Sequence, residues 1–277
     1  MSAISAEMSA LLQGKSAAVA CSPEKSAKIL LGLKEMGASV TRLPVIEIRE
    51  TEDKDALDAA LSRLDLYAWI LFTSSYAVRF FARRAAECGR LAELSRHRNI
   101  CAVGPATAAA LRERGIETSL LPQDFVAEGV LHAFADRPGG LRDLAGARIL
   151  FPRAREARDV LPRELERAGA QVEIVTCYEA IQGEIDPDTL QAMRANAPDL
   201  IVFTSSSTVH NFMGILGTSE GTGFLAKAVV AALGPITASA VQSYGRATDI
   251  VPRENTVLAL LEALRDFFTR VANEPGR

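Results

Sequence analysis

The 277-residue chain is expected to fold as a doubly wound α/β protein built from two related halves. Three observations predict this. Short Val/Ile/Leu-rich runs alternate with helical periodicity along the chain, the pattern of parallel sheets covered on both faces. The stretch "WILFTSSYAVRFF" at 69–81 recurs almost unchanged as "LIVFTSSSTVHNF" at 200–212. Other landmarks keep nearly the same spacing: Phe72 and Phe203 lie 131 residues apart, Gly104 and Gly234 130, Pro122 and Pro252 130, and Gly37 and Gly169 132. Four landmarks in one order at one offset mark a duplicated, domain-sized unit, since solenoid repeats are far shorter.

In the first copy, the apolar runs predict strands at 17–21, 39–43, 68–73, 99–103 and 118–121. The helical patterns between them predict helices at 24–36, 53–64, 75–88, 105–114 and 126–135. The second copy repeats the scheme, with strands at 148–151, 171–178, 200–204, 229–233 and 248–251. Its helices are expected at 155–168, 187–195, 206–216, 235–244 and 256–271. Between the copies, "ADRPGGLRDLAGA" at 135–147 reads as a linker by its Gly and Pro content.

Composition narrows the function classes. A net charge of -3 without basic runs argues against a nucleic-acid partner. No apolar stretch approaches the roughly 20 residues of a membrane span. The opening "MSAISAEMSALLQGK" lacks a basic region followed by a long apolar core, so it reads as a short extension and the location as cytoplasmic. Cys21, Cys88, Cys101 and Cys177 are scattered, without metal-ligand spacing, and read as buried thiols in a reducing compartment. His97, His132 and His210 are equally dispersed. No metal and no cofactor is expected.

In open α/β sheets, ligands bind beyond the carboxyl ends of the strands, and the polar residues of this chain gather there. Thr73, Ser74 and Ser75 follow one apolar run; Ser205, Ser206 and Ser207 follow its copy. Gly104-Pro105 and Gly234-Pro235 stand at two further strand ends, with Thr107 and Thr237 in the first helical turns. Ser at N-cap and Pro at the first helical position start helices, and capping accounts for any one of these residues. Four such starts on the same type of edge point further, to an anion held by free N–H groups and helix dipoles. Arg153, Arg155 and Arg158 of "FPRAREARDVL" are candidate carboxylate forks, whereas Arg163 and Arg167 read as a solvated face. There is no Gly-x-Ser-x-Gly elbow, and His210 lies on the helix leaving its own serines, so a serine hydrolase is not supported. Nucleotide-cradling glycine motifs are absent. Tyr178 in "VTCYEAI" follows the second strand of the second copy, and a phenol there can donate a proton.

The motifs "ILFTSSYAVRFF", "AVGPATAAALRERGI", "DFVAEGVLHAF", "AREARDVLPRELERAGAQVEIVTCYEA", "LIVFTSSSTVHNF" and "ALGPITASAVQSYG" run from about residue 17 to residue 264. Each is degenerate; in this order and spacing they resemble the uroporphyrinogen-III synthase family. At the first strand end the chain has Cys21-Ser22 where the family often has Thr-Arg. The resemblance implies two flavodoxin-like domains with parallel sheets, joined by a two-stranded linker ladder and separated by an interdomain cleft. One domain would hold 1–44 and 182–277, the other 50–177, with crossings near 43–50 and 176–184 and Tyr178 at the hinge. It implies a cofactor-free cyclising lyase of tetrapyrrole biosynthesis, turning linear hydroxymethylbilane into uroporphyrinogen III with inversion of ring D and loss of water. Tyr178 would be the acid. Thr73, Ser74, Ser75, Gly104, Pro105, Thr107, Arg153, Ser205, Ser206, Ser207, Gly234, Pro235 and Thr237 would bind the polycarboxylate substrate. A small-molecule partner and a monomeric state are the expectation. A non-catalytic binding or sensor module for an anionic small molecule is the alternative that the sequence leaves open.

Overall fold

A computed structural model of the chain describes residues 11–124, 127–157 and 159–273. Arg158, Phe125, Val126 and the first ten residues of the N-terminal extension lie outside the described residues. Strands are numbered in chain order: β1 (Ser16–Ala20), β2 (Ser39–Leu43), β3 (Ile46–Glu50), β4 (Trp69–Phe72), β5 (Ile100–Ala102), β6 (Arg148–Ala154), β7 (Gln171–Gln182), β8 (Leu200–Phe203) and β9 (Val229–Ala232). The chain divides into two compact units. One takes the residues up to Glu47 and from Ile181 onward, the other Ile48–Ala180.

The first unit carries a parallel sheet in the order β2-β1-β8-β9. In the second unit β7, β6, β4 and β5 are parallel neighbours, and β3 lies beside β7 at the edge. The expected parallel α/β architecture is present. The sheets do not follow the sequence copies, however. β1 of the first copy pairs with β8 of the second, in register Ala17↔Leu200. β6 of the second copy pairs with β4 of the first, in register Trp69↔Ile149. Each sheet takes strands from both copies.

The near-identical stretches form near-identical structures. Both β4 and β8 are buried along their whole length, as parallel strands covered on two faces must be. Phe72 meets Phe81 edge-on at 5.6 Å, and Phe203 meets Phe212 edge-on at 5.4 Å, a favoured aromatic geometry. The Gly37 and Gly169 landmarks have a backbone cause. Both adopt left-handed φ, 92° and 94°, just past the helices Pro23–Glu35 and Val160–Arg167, a helix-ending conformation that glycine adopts without a Cβ penalty.

Three expectations need correction. The strands expected at 118–121 and 248–251 are single bridges, Cys101↔Leu120 and Ala231↔Ile250. Side chains take over part of the edge: Ile100 N–H donates to Ser119 Oγ at 2.8 Å and Val230 N–H to Asp249 Oδ2 at 2.7 Å. Pro122 and Pro252 then follow two residues after the bridges and have no N–H to extend a ladder. The segment 135–147 does join the sequence copies but lies inside the second unit. Its Leu144 is buried with Trp69, Val130 and Phe134. Lastly, part of the N-terminal extension belongs to a core: Leu12 is buried with Ile29 and Leu33, and its N–H donates to Met36 O at 2.7 Å.

Cys21, Cys101 and Cys177 are buried thiols and Cys88 is exposed. Among the described residues, no helix is long and apolar enough to cross a membrane.

Candidate active site

Helices begin at all four expected places. In the second unit they are Ser75–Glu87 and Pro105–Arg112, which leave the carboxyl ends of the adjacent strands β4 and β5. In the first unit they are Ser206–Leu216 and Pro235–Gln242, leaving β8 and β9. Ser74 Oγ accepts from Ala77 N–H at 3.1 Å. Ser205 Oγ accepts from Thr208 N–H at 3.3 Å, and Thr208 Oγ1 accepts in return from Ser205 N–H at 3.2 Å, a complete capping box. Gly104 and Gly234 are extended N-caps with Pro105 and Pro235 at the first helical positions. Each unit thus presents two neighbouring helix N-termini, with their free N–H groups and partial positive charge, at one sheet edge.

The candidates differ in exposure. Thr73, Pro105, Ser207 and Pro235 are exposed, Ser74, Ser75, Gly104, Ser205 and Ser206 half-buried, and Thr107, Gly234 and Thr237 buried. In the first unit, Ser205, Ser206, Gly234, Pro235 and Thr237 converge on one pocket of about 240 Å³, together with Thr204 and Asn255. Asn255 had no signal in the sequence beyond being polar ahead of a helix. Its side chain lies over Gly234, where an added Cβ would come within 2.5 Å of Asn255 Oδ1. This close approach explains a glycine at a position whose backbone is merely extended.

Tyr178 does not follow the end of a strand as expected; it lies within the long β7. It is buried, 8% exposed, with its ring stacked on Phe80 at 5.8 Å and tilted against Tyr76 at 5.7 Å. Its hydroxyl lies 2.8 Å from Ser74 Oγ. Two strands apart in the order β7-β6-β4, the proton-donor candidate and one of the capping serines come together, a meeting that no spacing in the sequence announces. Cys177, beside Tyr178 in the chain, is no nucleophile: burial pushes its thiol well above the ordinary range.

The arginines are otherwise engaged. Arg153 is largely buried, pairs with Asp159 at 2.7 Å and stacks over Phe151. Arg155 pairs with Glu179 at 3.0 Å. His210 Nδ1 meets Tyr244 Oη at 3.0 Å on an exposed surface, so its partner is a phenol and not a serine of its own cluster.

The arrangement can polarise and hold carboxylates through backbone N–H groups and place one phenol at a helix start. The family model described as uroporphyrinogen-III synthase HemD matches residues 26–262. The chain belongs to the uroporphyrinogen-III synthase family. A synthase of that name from Synechococcus elongatus is 29% identical over 262 residues, covering 92% of this chain and 96% of the relative. The fold is also that of solved uroporphyrinogen-III synthases. The Helicobacter pylori structure matches with a TM-score of 0.64 at 17% identity, over 91% of this chain and 99% of that one. A mutant Thermus thermophilus structure matches at 0.57 and 19% identity, over 94% of this chain and the whole of that one.

Proposed function

We propose that the chain is a uroporphyrinogen-III synthase that cyclises hydroxymethylbilane with inversion of ring D and loss of water, within tetrapyrrole biosynthesis. The family match across residues 26–262 carries this reading, and the site chemistry fits it. On this reading each unit is a flavodoxin-like domain, and β3 with β7 forms the ladder that links them. The substrate's carboxylates engage helix N-termini of both units, at Ser74 and Ser75, Gly104 to Thr107, Ser205 to Ser207 and Gly234 to Thr237. Backbone N–H groups do most of this binding, so side-chain substitutions there change KM little. Arg153 is the weakest of the proposed ligands, because it must leave Asp159 to reach a carboxylate.

The chemistry asks little covalent work of the protein. Tyr178 gives its proton to the terminal hydroxyl, the C–O bond breaks, and water departs. The pyrrole nitrogen lone pair fills the vacancy, leaving an azafulvene cation and a phenolate. The substituted α-carbon of ring D attacks that cation, so it carries two methylenes. Its older bond, to the ring C methylene, then breaks, which restores ring D and leaves a second azafulvene cation on ring C. The free α-carbon of ring D, now turned round, attacks this cation and forms the closing C–C bond. Loss of a proton restores the aromatic ring, and that proton returns to the phenolate. Selectivity is geometric: the bound chain is held so that the ring-inverting attack outruns simple closure.

Separating the oxidised products by chromatography tests the function. Added protein diverts hydroxymethylbilane from the spontaneous type I isomer to type III, and type I alone defeats the proposal. A non-catalytic sensor of an anionic molecule, which the family match does not favour, would show ligand-dependent stabilisation without that diversion.

A further inference from the structure

We propose that Ser74 is a positioning residue for Tyr178: its hydroxyl donates to the phenol oxygen, leaving the phenol hydrogen as the one delivered to the departing hydroxyl. The inference rests on the reading of Tyr178 as the acid. A serine hydroxyl has one hydrogen and two lone pairs. In Ser74 one lone pair is taken by the Ala77 N–H, at 3.1 Å, and the Tyr178 oxygen lies 2.8 Å away. An oxygen that accepts from an amide becomes a stronger donor, so the preferred order is Ala77 N–H to Ser74 O–H to Tyr178 O. Stacking on Phe80 and contact with Tyr76 fix the plane of the ring. Ring contacts do not direct the phenol hydrogen, and a Ser74 donor turns it away from Ser74 Oγ. After proton transfer, the phenolate faces a hydroxyl donor at the start of helix Ser75–Glu87, where a charge-assisted bond and the helix dipole both favour negative charge.

The other half of the molecule supplies a comparison. Ser205 caps its helix in the same way, but the position that corresponds to Tyr178 by the 132-residue offset of Gly37 and Gly169 is Ile46. Capping alone therefore does not require the phenol, and the serine–phenol pair is an addition in one half.

The test measures kcat, KM and the pH profile of type III formation, with melting temperatures, for the full chain. The variants are Ser74→Ala, Ser74→Thr, Ser74→Asp, Tyr178→Phe and the Ser74→Ala/Tyr178→Phe pair. Ser74→Ala lowers kcat roughly tenfold, less than the ~100-fold or more of a donor lost from the reacting anion itself, because Ser74 acts through Tyr178; KM stays within about twofold. Its alkaline limb of kcat moves to higher pH, because the phenolate has lost a donor. Ser74→Thr restores kcat. Ser74→Asp keeps the melting temperature, since Asp caps as well as Ser, but not kcat, since a carboxylate only accepts. In the Tyr178→Phe background Ser74→Ala adds no further loss. A slow Tyr178→Phe beside a wild-type Ser74→Ala, or a Ser74→Asp with full kcat, overturns the role of Ser74 alone. A wild-type rate in Tyr178→Phe overturns the acid reading and this proposal with it.

Discussion

Asp199 fastens the start of β8 to the start of β1. Its Oδ2 accepts from the Ser16 N–H at 2.8 Å and from the Ser16 hydroxyl at 3.0 Å, and Lys15 Nζ stands 3.8 Å from Oδ1. The Ser16 N–H foremost, helped by its hydroxyl and the Lys15 charge, holds the carboxyl below its ordinary value against burial, the second-largest influence. Because the folded pKa is depressed, the stability it contributes is complete above the unfolded pKa of about 3.9. That contribution is lost as pH falls through the lower folded value. Asp199→Asn is therefore less stable than the wild type at pH 6 but loses less stability between about pH 4 and pH 2. Urea midpoints across that range check this; parallel losses would show that Asp199 is not a source of acid lability. Asp199 carried no signal in the sequence, since a carboxylate ahead of an apolar run looks like any solvated residue. Asn255 and the Ser74–Tyr178 pair were hidden for the same reason. Sequence places a side chain on an element, and only the tertiary fold says what it meets.

Elements whose cause is local were legible, and those made by packing were not. The helices starting at Ser75, Pro105, Ser206 and Pro235 were readable because their caps are written in the sequence. The helix Thr218–Lys227 was not. Its sequence "TSEGTGFLAK" is poor in helix formers, and burial of Phe224 and Leu225 holds it in place. Gly221 allows that packing, as a Cβ there would lie 2.3 Å from Met213 Sδ. A stricter demand falls on Gly183, just past β7. A Cβ there would lie 1.9 Å from Pro44 O and 3.1 Å from Ile46 N, and Gly183 N–H donates to Val45 O at 3.0 Å. Backbone cannot swing aside as a side-chain tip can. Gly183→Ala is expected to cost about 3 kcal/mol, the upper end for overpacking. Gly214→Ala meets only the movable Gln182 amide, at 2.9 Å, and should be near neutral or stabilising by a few tenths of a kcal/mol. Urea midpoints of the two variants decide; equal effects would mean that the approach of the Gly183 backbone to Pro44 is loose.

At the scale of the whole molecule, the repeat was legible in the residues, whereas its pairing was implied only by the family resemblance, for a physical reason. Self-similarity says which segments are alike. It does not say which lie side by side, because β1 beside β4 and β1 beside β8 would satisfy the same apolar pattern. The observed pairs are β1 with β8 and β4 with β6, and this gives the two kinds of fragment opposite fates. The contiguous unit Ile48–Ala180 contains β4 to β6, most of β7 and the core around Trp69. The sequence copy 16–135 contains β1 to β5 but lacks the β6 strand that flanks β4. Trp69 is the single tryptophan and reports the difference. It is 6% exposed, edge-on to Phe134 at 4.9 Å, beneath the Arg137 guanidinium and in register with Ile149. Fragment 48–180 is expected to unfold in one cooperative urea transition with the blue-shifted emission of the full chain. Fragment 16–135 keeps Trp69 and Phe134 but loses Ile149, Leu161 and Leu165 from the cluster, so its emission shifts to the red. Buried emission in 16–135 together with an unfolded 48–180 would mean that each copy builds its own sheet, and the exchange between copies would not hold in solution.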